Sequence, residues 1–194
     1  MLEQKIRKKL KNYIPQSTPE TYRLPCSDED IAAAIPAAVL VALQKKDDDW
    51  HVLLTKRSAT LEDHAGQISF AGGRQDSADS NSTETALREA EEEIGLPRDR
   101  VEILAQLNLH LIARKYLVTP HIGFIKPFTP KIDPVEVEVL FSMPLEFFLD
   151  DQNCKIDQRF LGYSGYQFDY NGMNIWGGTA SILLNLKSIL NDVA

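Results

Sequence analysis

Apolar residues change their spacing several times along this chain, and each change predicts a different element. Leu2, Ile6 and Leu10 recur at every fourth position of the basic stretch LEQKIRKKLKNYI, which predicts a short amphipathic helix. Such a helix can lie on a membrane surface or on its own domain, and the second is the expectation. A polar, proline-containing lead-in follows over residues 15–30. PAAVLVALQ (36–44) is then continuously apolar and short, as a strand buried on both faces is. Asp47, Asp48 and Asp49 mark a turn, and residues 51–55 form a second apolar strand, so a hairpin is predicted with its aspartates in water rather than on a metal.

From Asn81 the period becomes helical: Leu87, Ala90 and Ile94 repeat on one face, and Asn81 with Glu84 has the spacing of a capping box. Gly95 and Pro97 end the helix. Beyond it lie apolar stretches at 101–109, 117–125 and 135–141, with a helical turn after Pro144. YQFDY and MNIW flank Asn171-Gly172, a pair that tolerates the positive φ angles of a type I′ hairpin turn. A last helix is predicted over 178–190. With neither repeats nor low-complexity linkers, strands and helices mix in one α/β or α+β domain: residues 1–30 as helix and extended lead-in, 31–194 as the domain proper.

Composition agrees with a single core. The 194 residues are 43% hydrophobic and 25% charged, with 10 Gly and 10 Pro, which excludes a disordered chain, a collagen-like repeat and a coiled-coil rod. Twenty-one basic against 28 acidic residues give a net charge of −7, so no basic field collects nucleic acid. Cys26 and Cys154 are far apart without a metal-type spacing, pointing to a reducing compartment. No apolar run approaches the roughly 18 residues that span a bilayer, and the N-terminus lacks the apolar core of a secretory signal. The expectation is a cytoplasmic protein with a small-molecule partner and neither nucleic acid nor membrane. The sequence leaves open whether it forms a homodimer.

The chemistry concentrates in GGRQDSADSNSTETALREAEEEIGL, residues 72–96. At about 100° per residue, Glu89, Glu92 and Glu93 share an arc of roughly 100°, away from the apolar face, while Glu91 falls outside it. Clustered carboxylates repel one another. A hard divalent cation removes that repulsion, takes oxygen ligands while keeping waters for exchange, and can polarise a phosphoryl oxygen. An ordinary solvated helix face is the competing explanation. Against it stand Gly72 and Gly73, which follow a short strand at 68–70 and are expected to take backbone conformations closed to other residues. Because the net charge gives no steering toward an anionic substrate, local cations must supply it, and Lys56, Arg57 and Arg74 are nearest in sequence.

REAEEEIGL (88–96) resembles the signature of the Nudix hydrolases, G-x5-E-x7-R-E-U-x-E-E-x-G-U with U apolar, and matches its second half completely. The resemblance implies an α/β/α sandwich with a mixed sheet between helices. It implies Mg²⁺ or Mn²⁺ held by Glu89, Glu92 and Glu93, with Glu92 or Glu93 helping to activate water and Arg88 orienting the carboxylates. Counted from Gly73, the first glutamate of the signature falls on Asp79, and eight residues instead of seven separate it from Arg88. Asp79 is therefore either a solvent-exposed turn residue or a shortened structural member of the box.

Upstream, LLTKRSATLEDHAGQISFAGG (53–73) resembles the coenzyme A pyrophosphatase branch of that family, whose signature reads LLT-x-R-[SA]-x3-R-x3-G-x3-F-P-GG. Glu62 and Ala71 depart from it, and an anion in place of a cation at Glu62 reverses a Coulomb term toward phosphates. His64, Gly66 and Gln67 resemble the HxGQ stretch of the branch; PVEVEVLFSMPL (134–145) and IWGGTASIL (175–183) resemble two later segments, with Trp176 expected in the core. These likenesses imply substrate contacts at Arg57, Ser58, Gly66, Gly72 and Gly73, joined by Lys56 and Arg74, and Glu136 as a further ligand or base from outside the box. The implied reaction is hydrolysis of coenzyme A or its derivatives to 3′,5′-ADP and 4′-phosphopantetheine or its acyl form. An ADP-ribose or other nucleoside-diphosphate-X pyrophosphatase is the alternative. A non-catalytic nucleotide-binding regulator has no physical need for three clustered carboxylates.

Overall fold

A computed structural model of the chain describes residues 2–21, 26–61, 63–157 and 165–191. Helix α1 (Leu2–Lys11) is amphipathic as its spacing requires, and Ile6 and Leu10 are fully buried in the main core. Two short elements interrupt the lead-in. A two-residue strand, β1 (Glu20–Thr21), precedes helix α2 (Asp28–Ala33), which is closed by a reciprocal Ser27–Asp30 capping box. The polar composition of this stretch, with no apolar period, hid α2; its residues cap one another instead of packing, and the expected domain boundary at residue 30 falls inside it.

Strands β2 (Ile35–Lys46) and β3 (Asp49–Arg57) form the predicted hairpin, with Asp47 and Asp48 in the left-handed region at φ 49° and 72°. Next come β4 (Ile68–Ser69), β5 (Ala71–Arg74) and helix α3 (Ser82–Ile94). Strand β6 (Val101–Gln106) stops short of the predicted residue 109, and His110–Ile112 is a separate strand, β7. A turn through Ala113 and Arg114 joins it to β8 (Tyr116–Ile125), followed by β9 (Val137–Pro144) and α4 (Leu145–Leu149). A small sheet of β10 (Lys155–Asp157), β11 (Gly165–Tyr170) and β12 (Met173–Trp176) contains the Asn171-Gly172 hairpin turn. Helix α5 (Gly177–Leu190) follows.

The main sheet is mixed, with nine strands among the described residues and the order β1-β7-β8-β2-β3-β4. Its centre is the parallel pair β2/β8, from Ile35↔Tyr116 to Gln44↔Ile125, and all other pairings but β1/β7 are antiparallel. Alternation along β2 explains the layers. Ala38, Leu40 and Ala42 pack with Ala86, Ala90 and Ile94 of α3 on one face. Ala37, Val41 and Leu43 join Ile6 and Leu10 of α1 and Leu183 and Leu186 of α5 on the other. The continuous apolar run at 36–44 is thus a strand buried on both sides, and the sheet lies between helices in an α/β/α arrangement. No helix among the described residues is long and apolar enough to cross a membrane.

Candidate active site

Helix α3 carries the carboxylates; side chains hold its first turn and a glycine closes its last. The Asn81 side chain accepts the Glu84 N–H at 3.0 Å. The reciprocal half of the expected capping box is missing, because the Glu84 carboxylate pairs with Arg98. His121 on β8 meets the Ser82 hydroxyl at 2.9 Å and anchors the first turn to the sheet. At the far end Gly95, at φ 68°, donates its N–H to the Ala90 and Glu91 carbonyls. The buried face is Ala86, Ala90 and Ile94, with Leu87 only half-buried. That rotation turns Glu93 inward until its side chain is 2% exposed.

Arg88 is the hub of the site. Its Nη1 donates to Glu89 at 2.8 Å and to Glu92 at 2.9 Å, its Nη2 to Asp79 at 2.9 Å and to the Arg74 carbonyl at 3.1 Å, and its Nε to Asp79 at 3.1 Å. One planar fork thereby orients two carboxylates of α3 and pins the loop that precedes it. Asp79 is not a solvated turn residue: its side chain is 5% exposed, and the Arg88 guanidinium holds its carboxyl well below the usual carboxylate range. The extra loop residue is absorbed by turns in which Asp79 and Asp76 accept backbone N–H groups.

Glu93 is the unusual group. Burial pushes its pKa up to about 8, against the lowering pull of Arg57, whose Nη1 lies 3.7 Å from Glu93 Oε1; Glu136 and Glu89 add to the rise. Its Oε2 and the Arg57 Nε are buried without a hydrogen-bond partner. Burial raises Glu89 as well, while Arg88 pulls it down. A buried carboxylate oxygen with no donor needs a partner, and a hard cation with oxygen ligands fits this donor set. As they stand, with Glu89 and Glu92 turned to Arg88 and Glu93 to Arg57, no three His, Cys, Asp or Glu side chains among the described residues already converge as a metal cage. Glu92 is the outermost of the three, 59% exposed.

A cavity of about 440 Å³ opens beside these groups, with Arg57, Gly73, Glu89 and Glu136 on its polar wall and Ile112, Val118 and Trp176 on its apolar one. Glu136 enters from the loop before β9, where its carbonyl accepts the Ser58 N–H at 2.8 Å. Arg74 stands at the mouth with Asp63, His64 and Tyr116. Several expected contacts fall elsewhere. Lys56 alternates away from Arg57 along β3 and pairs with Glu138 at 2.7 Å. Ser58 is buried against Thr60, and Gly66, at φ 69°, serves a turn; neither lines the cavity. Glu62 lies outside the described residues.

Gly72 and Gly73 are needed for a reason other than the one expected. Both belong to β5 with ordinary strand angles, but a Cβ on Gly72 would stand 2.4 Å from the Ala38 carbonyl, and one on Gly73 would stand 2.5 Å from Glu89 Oε1. Close approach, not positive φ, is the reason: the Ala38 backbone excludes a side chain at Gly72, and one at Gly73 would push the Glu89 carboxylate from its place. Trp176, expected in the core, is half-buried on the cavity wall. Sequence reasoning missed Asp63, Lys115 and Tyr116 at the mouth. The only signal was an aromatic residue behind two basic ones at the start of a strand.

The chain is similar to known proteins in sequence and in fold. A sequence model of the NUDIX domain matches residues 34–152. The chain is 41% identical over 164 residues to Nudix hydrolase 15, mitochondrial, of Arabidopsis thaliana, covering 79% of this chain and 58% of that protein. It is 37% identical over 116 residues to the peroxisomal coenzyme A diphosphatase NUDT7 of Mus musculus, covering 59% of this chain and 49% of that one. The chain therefore spans about half the length of these two relatives. Among solved structures, a C. elegans Ap4A hydrolase binary complex superposes with a TM-score of 0.54 at 18% identity, over 82% of this chain and 99% of that one.

Proposed function

The chain belongs to the Nudix family, and on that premise we propose that it is a divalent-metal-dependent diphosphatase that cleaves coenzyme A or its acyl derivatives into 3′,5′-ADP and 4′-phosphopantetheine or its acyl form. The observation that carries this reading is the meeting of two segments distant in sequence. Arg57, from the upstream signature, faces Glu93 of the helix signature across 3.7 Å, beside a cavity walled by Glu89, Glu136 and the Gly72-Gly73 strand. The coenzyme A assignment draws support from the residues at 53–73 and from the name of the mouse relative.

Glu89, Glu92 and Glu93 would hold Mg²⁺ or Mn²⁺, which supplies charge neutralisation at the diphosphate oxygens and lowers the pKa of a bound water. Gly73, lacking a side chain, lets a phosphate approach Glu89 closely. Arg88 keeps Glu89 and Glu92 in register. Glu136 lines the cavity, which supports assigning it the proton of an attacking water as one phosphorus–oxygen bond forms and the bridging bond breaks. The apolar wall at Ile112, Val118 and Trp176 suits the pantetheine arm or an acyl chain.

One observation favours the second reading, hydrolysis of ADP-ribose or another nucleoside diphosphate: the signature cation is replaced by Glu62. Product analysis by liquid chromatography decides. The purified chain is incubated with coenzyme A, ADP-ribose and NADH, each with Mg²⁺, Mn²⁺ or EDTA. Metal-dependent release of 3′,5′-ADP from coenzyme A supports the proposal; AMP from ADP-ribose with coenzyme A intact overturns it in favour of the second reading. No turnover of any substrate overturns both.

A further inference from the structure

At the cavity mouth three donors crowd around one carboxylate oxygen. Asp63 Oδ2 lies 3.2 Å from Lys115 Nζ, 3.5 Å from the Tyr116 hydroxyl and 3.9 Å from Arg74 Nη2. Only the first has an ordinary hydrogen-bond length. The donors are organised without help from Asp63: Arg74 donates to the Tyr116 hydroxyl at 2.7 Å, and the Arg74 and Lys115 charges stand 5.4 Å and 4.9 Å from the centre of the Tyr116 ring. The β7/β8 ladder, ending at Ile112↔Tyr116, fixes where the last two emerge.

Charge and shape point the same way. Two cations face one carboxylate, leaving an excess positive charge in a chain whose net charge is −7. Lys115, and then Arg74, hold the Tyr116 phenol below its ordinary pKa. One carboxylate oxygen cannot satisfy three donors spread around it, whereas a tetrahedral phosphate offers each a separate oxygen. The position is also informative. The Arg74 carbonyl accepts from Arg88, and the preceding Gly73 abuts Glu89, while the Arg74 side chain stands at the mouth. A second anion bound there would lie beside the diphosphate without sharing its ligands.

We propose that Arg74, Lys115 and Tyr116 form a subsite for a phosphomonoester separate from the diphosphate, and that Asp63 fills it as an internal competitor until substrate arrives. The inference rests on the functional reading above only in placing the diphosphate at Glu89 and Gly73. It makes substrate selection a matter of charge exchange: the second phosphate displaces Asp63, an exposed carboxylate whose pairings cost little to break.

The test is calorimetric titration of the full chain, in EDTA, with adenosine 3′,5′-bisphosphate and with 5′-AMP. The bisphosphate is expected to bind about tenfold tighter. Lys115→Gln and Arg74→Gln should each bring the bisphosphate to the AMP level. Asp63→Asn should tighten the bisphosphate several-fold and leave AMP within about twofold. Equal affinities in the unaltered chain, no binding of either nucleotide, an equal loss of both in Lys115→Gln, or weaker bisphosphate binding in Asp63→Asn would each overturn the subsite. Hydrolysis separates this failure from that of the functional reading. Equal kcat/KM for coenzyme A and its 3′-dephospho form removes the subsite and leaves the diphosphatase; no hydrolysis of either, with the bisphosphate preference intact, removes the diphosphatase and leaves the subsite.

Discussion

Two arginine-centred clusters flank the same cavity, and they are built to opposite specifications. Arg88 is 23% exposed and makes five hydrogen bonds of 2.8–3.1 Å to Asp79, Glu89, Glu92 and the Arg74 carbonyl. Arg74 is 60% exposed, and its contact to Asp63, itself 57% exposed, is 3.9 Å long. In the first cluster Asp79 and Glu89 are desolvated, and losing Arg88 would strand both, although Glu92 still faces water. In the second, water and salt stand ready to replace any partner. The comparison teaches a division of labour: the inner cluster fixes where reacting groups sit, and the outer one can rearrange at little cost, which is what admitting a charged ligand requires.

The largest effect should come from the buried carboxylate of the inner cluster. Glu93→Gln is expected to lower kcat by on the order of 10³-fold, because it removes a buried carboxyl whose Oε2 has no hydrogen-bond partner and is free to take a cation. Glu91→Gln should stay within about twofold, since Glu91 faces solvent and pairs with Arg98 at 3.3 Å. Steady-state kinetics on the two variants, two residues apart on opposite sides of the helix, breaks the picture if their losses are equal.

Arg88→Ala comes next. It leaves Asp79 and Glu89 sheltered without a counter-charge, and about 3 kcal/mol of stability should be lost in denaturant unfolding. Arg88→Lys should recover only part of this, because an ammonium cannot reproduce the planar fork. A loss below about 1 kcal/mol in the alanine variant would place Arg88 with the surface pairs and erase the contrast.

A pH experiment sharpens the same contrast. Arg88 lowers the folded-state pKa of Asp79 below its ordinary value of 3.8. The pair's contribution is therefore fully present above that pH and is lost as the pH falls toward the folded value. Stability measured from pH 5 downward should decline in the unaltered chain, and Asp79→Asn should flatten that decline while already lowering stability at pH 7. A decline unchanged in Asp79→Asn would assign it to other carboxylates.

The inner cluster was largely legible in the sequence, and the outer one was not. Arg88, Glu89, Glu92 and Glu93 are spaced by the helix itself, so 3.6 residues per turn and a Gly95 stop suffice to put them on one side. Periodicity also predicted β2, β8 and both Asp- and Asn-containing hairpins, where short-range chemistry decides. It failed where tertiary packing decides. Leu87 yields its core position to Ala86 because close helix–sheet packing favours the smaller residue, and Gly72-Gly73 are required by neighbours, Ala38 and Glu89, that sequence spacing does not reveal. The mouth cluster draws Asp63 from the loop after β3, Arg74 from the end of β5 and Tyr116 from the start of β8, separations too long for any helical or strand period to join them.

The smallest expected effect tests the outer cluster directly. Lys115→Ala removes an ammonium 3.2 Å from Asp63 and 4.9 Å from the Tyr116 ring, on a side chain 48% exposed. Pairs of this kind contribute little, since water resolvates each charge and two long side chains regain rotamer freedom. Arg74 remains beside both Asp63 and Tyr116, so neither is left without a cation. The midpoint of denaturant unfolding should therefore barely move, and what little it moves should vanish in high salt. A loss approaching that of Arg88→Ala would mean that the mouth is a fixed part of the framework, and Asp63 would then be a structural anchor rather than a group able to give way to a phosphate.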